Sequence, residues 1–392
     1  MRREEQDERS RDRRRRLYRQ PHDPRAFCPR GGRFGAGRSG MSCTDPEIPQ
    51  AVTTAPVPMS PSQWRIFHRN ETIWPAVLEL CDGARTSLAI EQYIFGADMI
   101  GTRLMDVLTK AARRGVHVRL LVDAFGSAEL ARSPAGAAFR QAGGELVRYN
   151  PLSRLLRNPI SGMHRLHRKS VIADGRRMMA GGACYSDRMA DWRDTMVRIE
   201  GPIVPAALAA FETAWAYASG ISACRSRSQS AEATCGAGHW NYLTSDPVRP
   251  ARQQIYQALL SRLRDAETSI DLATPYLFPD RKIWSALTGA RQRGVRVRLL
   301  LPARSDHPGI DLFSQRFAAA LVRRGVEAHG YLPGMMHAKL AIIDDWSMVS
   351  SFNLDMLSIG LNVENGLATT SPAFRDVLAD QYACDIATSR RF

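Results

Sequence analysis

His167-Arg168-Lys169-Ser170-Val171-Ile172-Ala173-Asp174 and His337-Ala338-Lys339-Leu340-Ala341-Ile342-Ile343-Asp344 are the two stretches on which the reading of this chain turns. Each spells His-x-Lys-x4-Asp. In an extended segment alternate side chains share a face, so each histidine keeps its lysine beside it. The apolar residues that follow suit buried strands. Asp174 and Asp344 fall on the opposite parity, which puts them at the turn into a hairpin, pointing away from any cleft, in a structural hydrogen-bonding role. Of 54 basic residues only Lys110, Lys169, Lys282 and Lys339 are lysine. A chain that writes positive charge almost wholly as arginine has still set the compact ammonium, a point-charge phosphate binder, two residues after both histidines. Two such histidines can divide phosphoryl transfer between a nucleophile and an acid/base.

Working outward, the flanks repeat as well. Ala84–Glu91 leads to Tyr93-Ile94-Phe95, a helix from Gly101 to Arg114 and a buried strand from Gly115. Ala266–Ala273 leads in the same way to Tyr276-Leu277-Phe278, a helix from Asp280 to Arg293 and a strand from Gly294. Further helices, Ser133–Ala142 and Ile310–Arg324, stop at Gly143 and Gly325, glycine being the common helix terminator. Short strands at Glu145–Tyr149 and Val326–Tyr331 precede the two motifs. The order strand–helix–strand–helix in both halves predicts an α/β architecture of two homologous lobes. The expected division is a disordered Arg/Gly/Pro-rich tail over 1–60, a first lobe over 61–221, a linker over 222–238 and a second lobe over 239–392. The tail could also lie upstream of a natural start at Met41 or Met59.

Two carboxylates share one offset: Asp194 and Glu364 each follow the histidine of their own half by the same interval, in matching strands at Trp192–Ile199 and Leu361–Ala368. A carboxylate on Nδ1 fixes the tautomer and orients an imidazole ring.

These segments resemble the tandem signature His-x-Lys-x4-Asp-x6-Gly-(Gly/Ser)-x-Asn of the phospholipase D superfamily, over roughly residues 62–392. With Gly181-Gly182, Arg198–Val204 and Asn353-Leu354-Asp355-Met356-Leu357-Ser358, the chain looks most like bacterial cardiolipin synthases. The resemblance implies two phospholipase D-type lobes, each a sheet flanked by helices, with the active site at their interface. It implies that His167 attacks a phosphodiester to form a phosphohistidine, that His337 serves as acid and base, and that Lys169, Lys339 and Asn353 neutralise the non-bridging oxygens. It places Ser351 and Cys184 at the substrate and requires no metal and no cofactor. Two departures stand out. Cys184 occupies the position of the first motif's asparagine, and a thiol is a weak donor. Ser350 replaces a glycine in a second hairpin that is one residue shorter.

The net charge of +15 favours anionic partners, but 13 Arg against six acidic residues put +7 of it in residues 1–40. Seven scattered cysteines with no Cys-x-x-Cys argue against a zinc cage or a disulfide framework and fit a reducing cytosol. No uncharged apolar run is long enough to span a bilayer. The stretch Ile203–Ala223 is interrupted by Glu212 and reads as a packed helix. Pro151–Met163 mixes leucines with arginines and reads either as a packed loop or as a lip that dips Leu152, Leu155, Leu156 and Ile160 into lipid while Arg154 and Arg157 meet phosphates. The expectation is a monomer with an internal pseudo-dimer, cytoplasmic, and peripheral on the inner face of the cell membrane. It would convert the anionic phospholipid phosphatidylglycerol to cardiolipin and glycerol. Hydrolysis with water as acceptor, a nuclease or other phosphodiesterase, and a non-catalytic anion binder are the alternatives. Nucleic acid is the less favoured partner, since no aromatic-and-basic run suits stacking on single strands.

Overall fold

In a computed structural model of the chain, residues 63–220, 232–234, 239–247 and 253–392 are described. The tail expected over 1–60 and most of the linker expected over 222–238 lie outside them.

The first half runs β1 (Gln63–Phe67), α1 (Asn70–Asp82), β2 (Ser87–Gln92), α2 (Met99–Arg113), β3 (His117–Asp123), α3 (Ala128–Arg132), α4 (Pro134–Gln141), β4 (Glu145–Tyr149), α5 (Leu152–Arg157), α6 (Pro159–Gly162), β5 (Arg165–Leu166), β6 (Ser170–Ala173), β7 (Arg177–Gly181), β8 (Met196–Glu200) and α7 (Val204–Ser219). The second runs β9 (Glu232–Thr234), β10 (His239–Ser245), α8 (Gln254–Asp265), β11 (Ser269–Ala273), α9 (Arg281–Gln292), β12 (Arg296–Pro302), α10 (Pro308–Val322), β13 (Glu327–Tyr331), β14 (Leu340–Ile343), β15 (Trp346–Ser350), α11 (Met356–Gly360), β16 (Asn362–Thr369), α12 (Pro372–Ala387) and β17 (Ser389–Arg391). Among the described residues the first sheet has the order β1-β8-β7-β6-β2-β3-β4, and the second contains the same arrangement as β10-β16-β15-β14-β11-β12-β13. The second adds β9 and β17 at its edges, so part of the expected linker is a strand.

The repeat seen in sequence is thus a repeat of topology, for local reasons. Asp98 accepts from Gly101 N at the start of α2, and Asp280 accepts from Ile283 N at the start of α9. Gly115 (φ 87°) and Gly294 (φ 90°) then turn the chain into β3 and β12, a conformation only glycine adopts without cost. Those strands lie parallel to β2 and β11.

One core joins the lobes. Phe211 and Trp215 of α7, together with Phe374, Leu378 and Tyr382 of α12, pack in a single cluster with Ile172 and Val197 of the first sheet and Leu340 and Leu367 of the second. Each lobe also has an outer cluster of its own. The described residues accordingly form one compact unit.

Two crossings stitch the seam. β5 leaves the first lobe and pairs in parallel with β16, Arg165 against Asn362 and Leu166 against Val363. Reciprocally, Arg193 of the first lobe bridges Met336 of the second. The residues that follow these pairings are His167 beside Glu364, and His337 beside Asp194.

Candidate active site

His167 and His337 stand just before β6 and β14, in backbone held by the other lobe. His167 N donates to Val363 O at 2.9 Å, and His337 N donates to Arg193 O at 2.8 Å. The sequence pattern suggests that each His-x-Lys segment lies wholly in the ladder of its own sheet. Instead the histidine end is held by the other lobe, while the Lys169 and Lys339 carbonyls accept from Gly181 N and Ser350 N of their own sheets.

Both rings are locked by a carboxylate from across the seam. His167 Nδ1 lies 2.9 Å from Oε1 and 2.9 Å from Oε2 of Glu364, and His337 Nδ1 lies 2.5 Å from Asp194 Oδ2. The equal offset in sequence marks the two carboxylates without telling which ring each one serves, and the pairing is crossed. Glu364 and Asp194 are both fully buried. An ionised carboxylate only accepts, so each Nδ1 carries the proton and each Nε2 presents its lone pair.

Electrostatics follow from burial. Desolvation lowers His167 to about 4, with Glu364 pulling it up and Lys169 pushing it down. Desolvation and then Lys339 lower His337 to about 4, against Asp194. Burial disfavours charge on Glu364 and Asp194 too, yet the facing imidazoles and lysines hold both carboxyls below their ordinary range. Burial likewise lowers Lys169, and it takes Lys339 down to about 7.

The two rings line one cleft of about 490 Å³ together with Cys184 and Asn353. Tyr93 packs edge-on against His167 with ring centres 4.9 Å apart, and Trp192 tilts against His337 at 4.8 Å. Lys169 and Lys339 do not line that cleft. Each donates to the carbonyl of its own histidine, Lys169 Nζ at 2.6 Å, and Lys169 also stands 5.3 Å from the centre of the Tyr93 ring. Cys184 is buried, and desolvation raises its thiol, so it meets the cleft as a neutral group. Asn353 Oδ1 has no hydrogen-bond partner among the described residues.

Ser351 departs from its expected place at the substrate. It is fully buried, does not line the cleft, and its hydroxyl donates to Glu364 Oε2. Ser358 donates to the other oxygen at 2.7 Å. In the first lobe the matching residue is Gly182, where an added Cβ would stand 2.2 Å from Asp194 Oδ1. The shorter aspartate reaches His337 only because no side chain intervenes, whereas the longer glutamate has room for a serine.

Asp174 and Asp344 sit at the hairpin turns with φ 55° and 50°. Asp174 Oδ1 accepts from Arg85 N, Thr86 N and Ser87 N, and Asp344 accepts from Glu267 N, Thr268 N and Ser269 N. Partial burial opposes their ionisation, but these backbone donors hold both below the usual carboxylate range. They pin each hairpin to the loop entering β2 or β11.

The Pro151–Met163 stretch folds as the short helices α5 and α6 rather than a loop. Arg154 turns back onto the protein, donating to Tyr217 O and lying 4.4 Å from the centre of the Tyr217 ring, so it is not the outward phosphate contact expected of it. Several residues at the site escaped the sequence reading. Arg168 is buried and donates to Glu364 O, Glu91 and Ala210 O, tying the lobes beneath His167. Tyr93 carried a signal in its match to Tyr276, and Ser358 in its nearness to Asn353. Trp192 carried none.

Comparison with known proteins agrees with this geometry. The family described as "Cardiolipin synthase, PLD-like domain" matches residues 77–215 and 259–386. Probable cardiolipin synthase YwiE of Bacillus subtilis is 33% identical over 329 residues, covering 81% of this chain. The match spans 65% of that relative, just under two thirds of its length. Cardiolipin synthase B of Salmonella typhimurium is 32% identical over 330 residues, covering 81% of this chain and 79% of its own. In fold, the crystal structure of phosphatidylserine synthase from Haemophilus influenzae Rd KW20 superposes with a TM-score of 0.67 at 13% identity, covering 85% of this chain and 89% of that one. Tandem His-x-Lys motifs at the seam of two matching lobes, in a sequence that aligns across both, have one assignment: the chain belongs to the phospholipase D-like cardiolipin synthase family.

Proposed function

We propose that this protein is a phosphatidyltransferase that converts two phosphatidylglycerol molecules to cardiolipin and glycerol at the surface of a membrane. The observation that carries the reading is the pair of imidazoles, each oriented through Nδ1 by a carboxylate of the opposite lobe and both facing one cleft.

His167 is neutral at pH 7, with Nε2 unprotonated and ready to attack. Nε2 bonds to phosphorus, the bond to the glycerol oxygen breaks, and His337 gives that oxygen a proton. An anionic phosphodiester in the cleft favours the imidazolium this step needs. In the second half His337 takes the proton of the acceptor hydroxyl, the acceptor oxygen bonds to phosphorus and the phosphorus–nitrogen bond breaks. Asn353 is placed to touch the phosphate, and the two buried lysines supply positive potential in a low-dielectric site. Asp194, Glu364 and Ser351 act through the rings they position, while Asp174 and Asp344 hold the hairpins.

No helix among the described residues is long and apolar enough to cross a membrane. Lining the cleft, Phe125, Met163 and Leu357 are 54%, 49% and 55% exposed, and Leu152 and Leu156 of α5, outside that lining, are 58% and 78% exposed. Such a rim suits peripheral contact with lipid, and a bacterial inner-membrane surface facing the cytoplasm is the location we assign.

Incubating the protein with phosphatidylglycerol in mixed micelles and separating the lipids tests the reading. Cardiolipin with free glycerol is the expected product. Phosphatidic acid alone would make the protein a hydrolase, and nicked plasmid with untouched lipid would make it a nuclease.

A further inference from the structure

The site repeats its His-Lys pair across the seam, but its cleft is asymmetric at the rim. Tyr185 bridges Phe95 within the first lobe and Leu354 bridges Leu277 within the second, which makes Tyr185 and Leu354 equivalent positions of the repeat. Three residues beyond those bridges stand Arg188 in the first lobe and Leu357 in the second. Both line the cleft and both are exposed. The pseudo-two-fold mates are thus a guanidinium and an apolar side chain.

The turn that presents Arg188 is rigidly tied. Asp187 accepts from Met99 N and Ile100 N at 3.0 Å each. Asp98 accepts from the Ser186 hydroxyl and from Asp187 N at 2.8 Å each. Asn70 donates to Met189 O at 2.6 Å. Ser186, Asp187 and Met189 on either side of Arg188 are thus bonded elsewhere, while its own guanidinium has no acceptor among the described residues. The other arginine of the cleft, Arg165, is already committed, donating to Met163 O, Asn150 O and Gly162 O with Asp123 3.6 Å away. Across the cleft the second lobe offers carboxylates, Asp355 and Asp306, the latter bonded to Tyr276 at 2.7 Å. That wall suits the hydroxyls of a polyol and repels a second anion.

We propose that Arg188 is an anion subsite that holds the non-reacting phosphate of an acceptor phospholipid, one glycerol away from the phosphorus that His167 attacks. The inference rests on the phosphatidyltransferase reading above. The donor brings a single phosphate, the reacting one, on an uncharged glycerol. Only an acceptor phospholipid brings a second phosphate into the cleft, and water or free glycerol brings none. A planar fork of donors fits that phosphate. Arg188 therefore selects a lipid over a small alcohol in the second half-reaction.

The test compares two reactions of the full-length protein in mixed micelles: cardiolipin formation from phosphatidylglycerol, and exchange of labelled glycerol into phosphatidylglycerol. Arg188→Gln removes a charge-assisted contact and should lower cardiolipin formation roughly ten-fold. Glycerol exchange should stay within about two-fold, because its acceptor carries no phosphate. Arg188→Lys keeps the charge and should retain most of the cardiolipin activity. Equal loss of both reactions, or full retention of both, overturns the subsite while leaving the transferase reading in place. A wild-type protein that performs neither reaction overturns both.

Discussion

His167 and Glu364 are 197 residues apart in the chain, and the imidazole Nδ1 lies 2.9 Å from each carboxylate oxygen. His337 and Asp194 make the same contact in the opposite direction across the seam, 143 residues apart. Neither lobe holds an oriented histidine by itself, so docking of the lobes and assembly of the site are one event.

The crossing decides which carboxylate serves the nucleophile and which serves the acid/base. A p-nitrophenyl phosphodiester of diacylglycerol leaves without needing a proton, so only the nucleophile limits the first step. Asp194→Asn, which disorients His337, should still release about one nitrophenolate per enzyme and then stall with the adduct on His167. Glu364→Gln should abolish that burst and lower turnover by about 10²–10⁴. If the two variants exchange behaviour, either the roles of the histidines or the direction of the pairing is wrong.

Glu364 stays ionised in a buried site partly through the hydroxyls of Ser351 and Ser358. Removing either by alanine should lower kcat about three- to ten-fold, the worth of one such hydrogen bond. The sign of the pH effect is fixed. With fewer donors Glu364 takes up a proton at higher pH, so the acid limb of the rate profile should move upward. An unshifted limb with reduced kcat would mean that the serines act only as packing.

Much of this was legible from residues alone. The repeated helix–glycine–strand units gave two matching α/β halves because propensity and helix-stop signals are local. The two motifs named the reacting groups because lysine is so rare here. The crossing was not legible, since β5 is only two residues long and carries no periodicity. Ser351 was misplaced because sequence placed it near the phosphate, while its hydroxyl is turned toward Glu364 on the neighbouring strand β16, a side-chain direction the motif does not record. The amphipathic reading of Pro151–Met163 could not tell which arginines face outward, and Tyr217, which captures Arg154, lies more than fifty positions later.

Burying two lysines has a cost that pH should expose. Lys339 is 1% exposed and titrates near 7, against 10.5 for a free side chain. Between those values the unfolded chain binds more protons than the folded one, so folding stability should rise as pH increases from 7 to 10.5. Lys339→Met removes that term. It should raise stability by roughly 1–3 kcal/mol at pH 7 while abolishing turnover, and the gain should shrink as pH climbs. The histidines act in the same sense at lower pH. Depressed to about 4, they cost stability as pH falls from 6.5 towards 4. Denaturant midpoints measured from pH 5 to 10 for both proteins check the sign, and a variant no more stable than wild type at pH 7 would sink it.

Arg193 ties the second motif to the last helix. Its guanidinium, 1% exposed, pairs with Asp385 of α12 and also donates to His68 O and Thr195 Oγ1. Its carbonyl accepts from His337 N and Ala338 N. Asp385→Ala strands a buried charge and should destabilise by about 3–5 kcal/mol, with an earlier loss of activity on heating than of secondary structure. The double variant Arg193→Met/Asp385→Leu should recover much of that stability, because a buried pair exchanged for apolar volume leaves no charge behind. Thermal melts of the three proteins separate these outcomes.

The apolar rim offers the last test. Leu152 and Leu156 stand on one short helix, more than half exposed and outside the cleft. Withdrawing a leucine from water yields about 1.5–3 kcal/mol when burial is complete, so partial insertion of each is worth roughly a ten-fold gain in membrane affinity. Leu156→Asp forfeits that gain and adds repulsion from anionic headgroups, so co-sedimentation with phosphatidylglycerol vesicles should fall at least ten-fold. Turnover of a short-chain, monomeric phosphatidylglycerol should be unchanged, since neither leucine touches the reacting groups. Vesicle binding that survives in a Leu152→Asp/Leu156→Asp protein would place the docking surface elsewhere, and the ring of Phe125, Met163 and Leu357 around the cleft mouth would be the next to substitute.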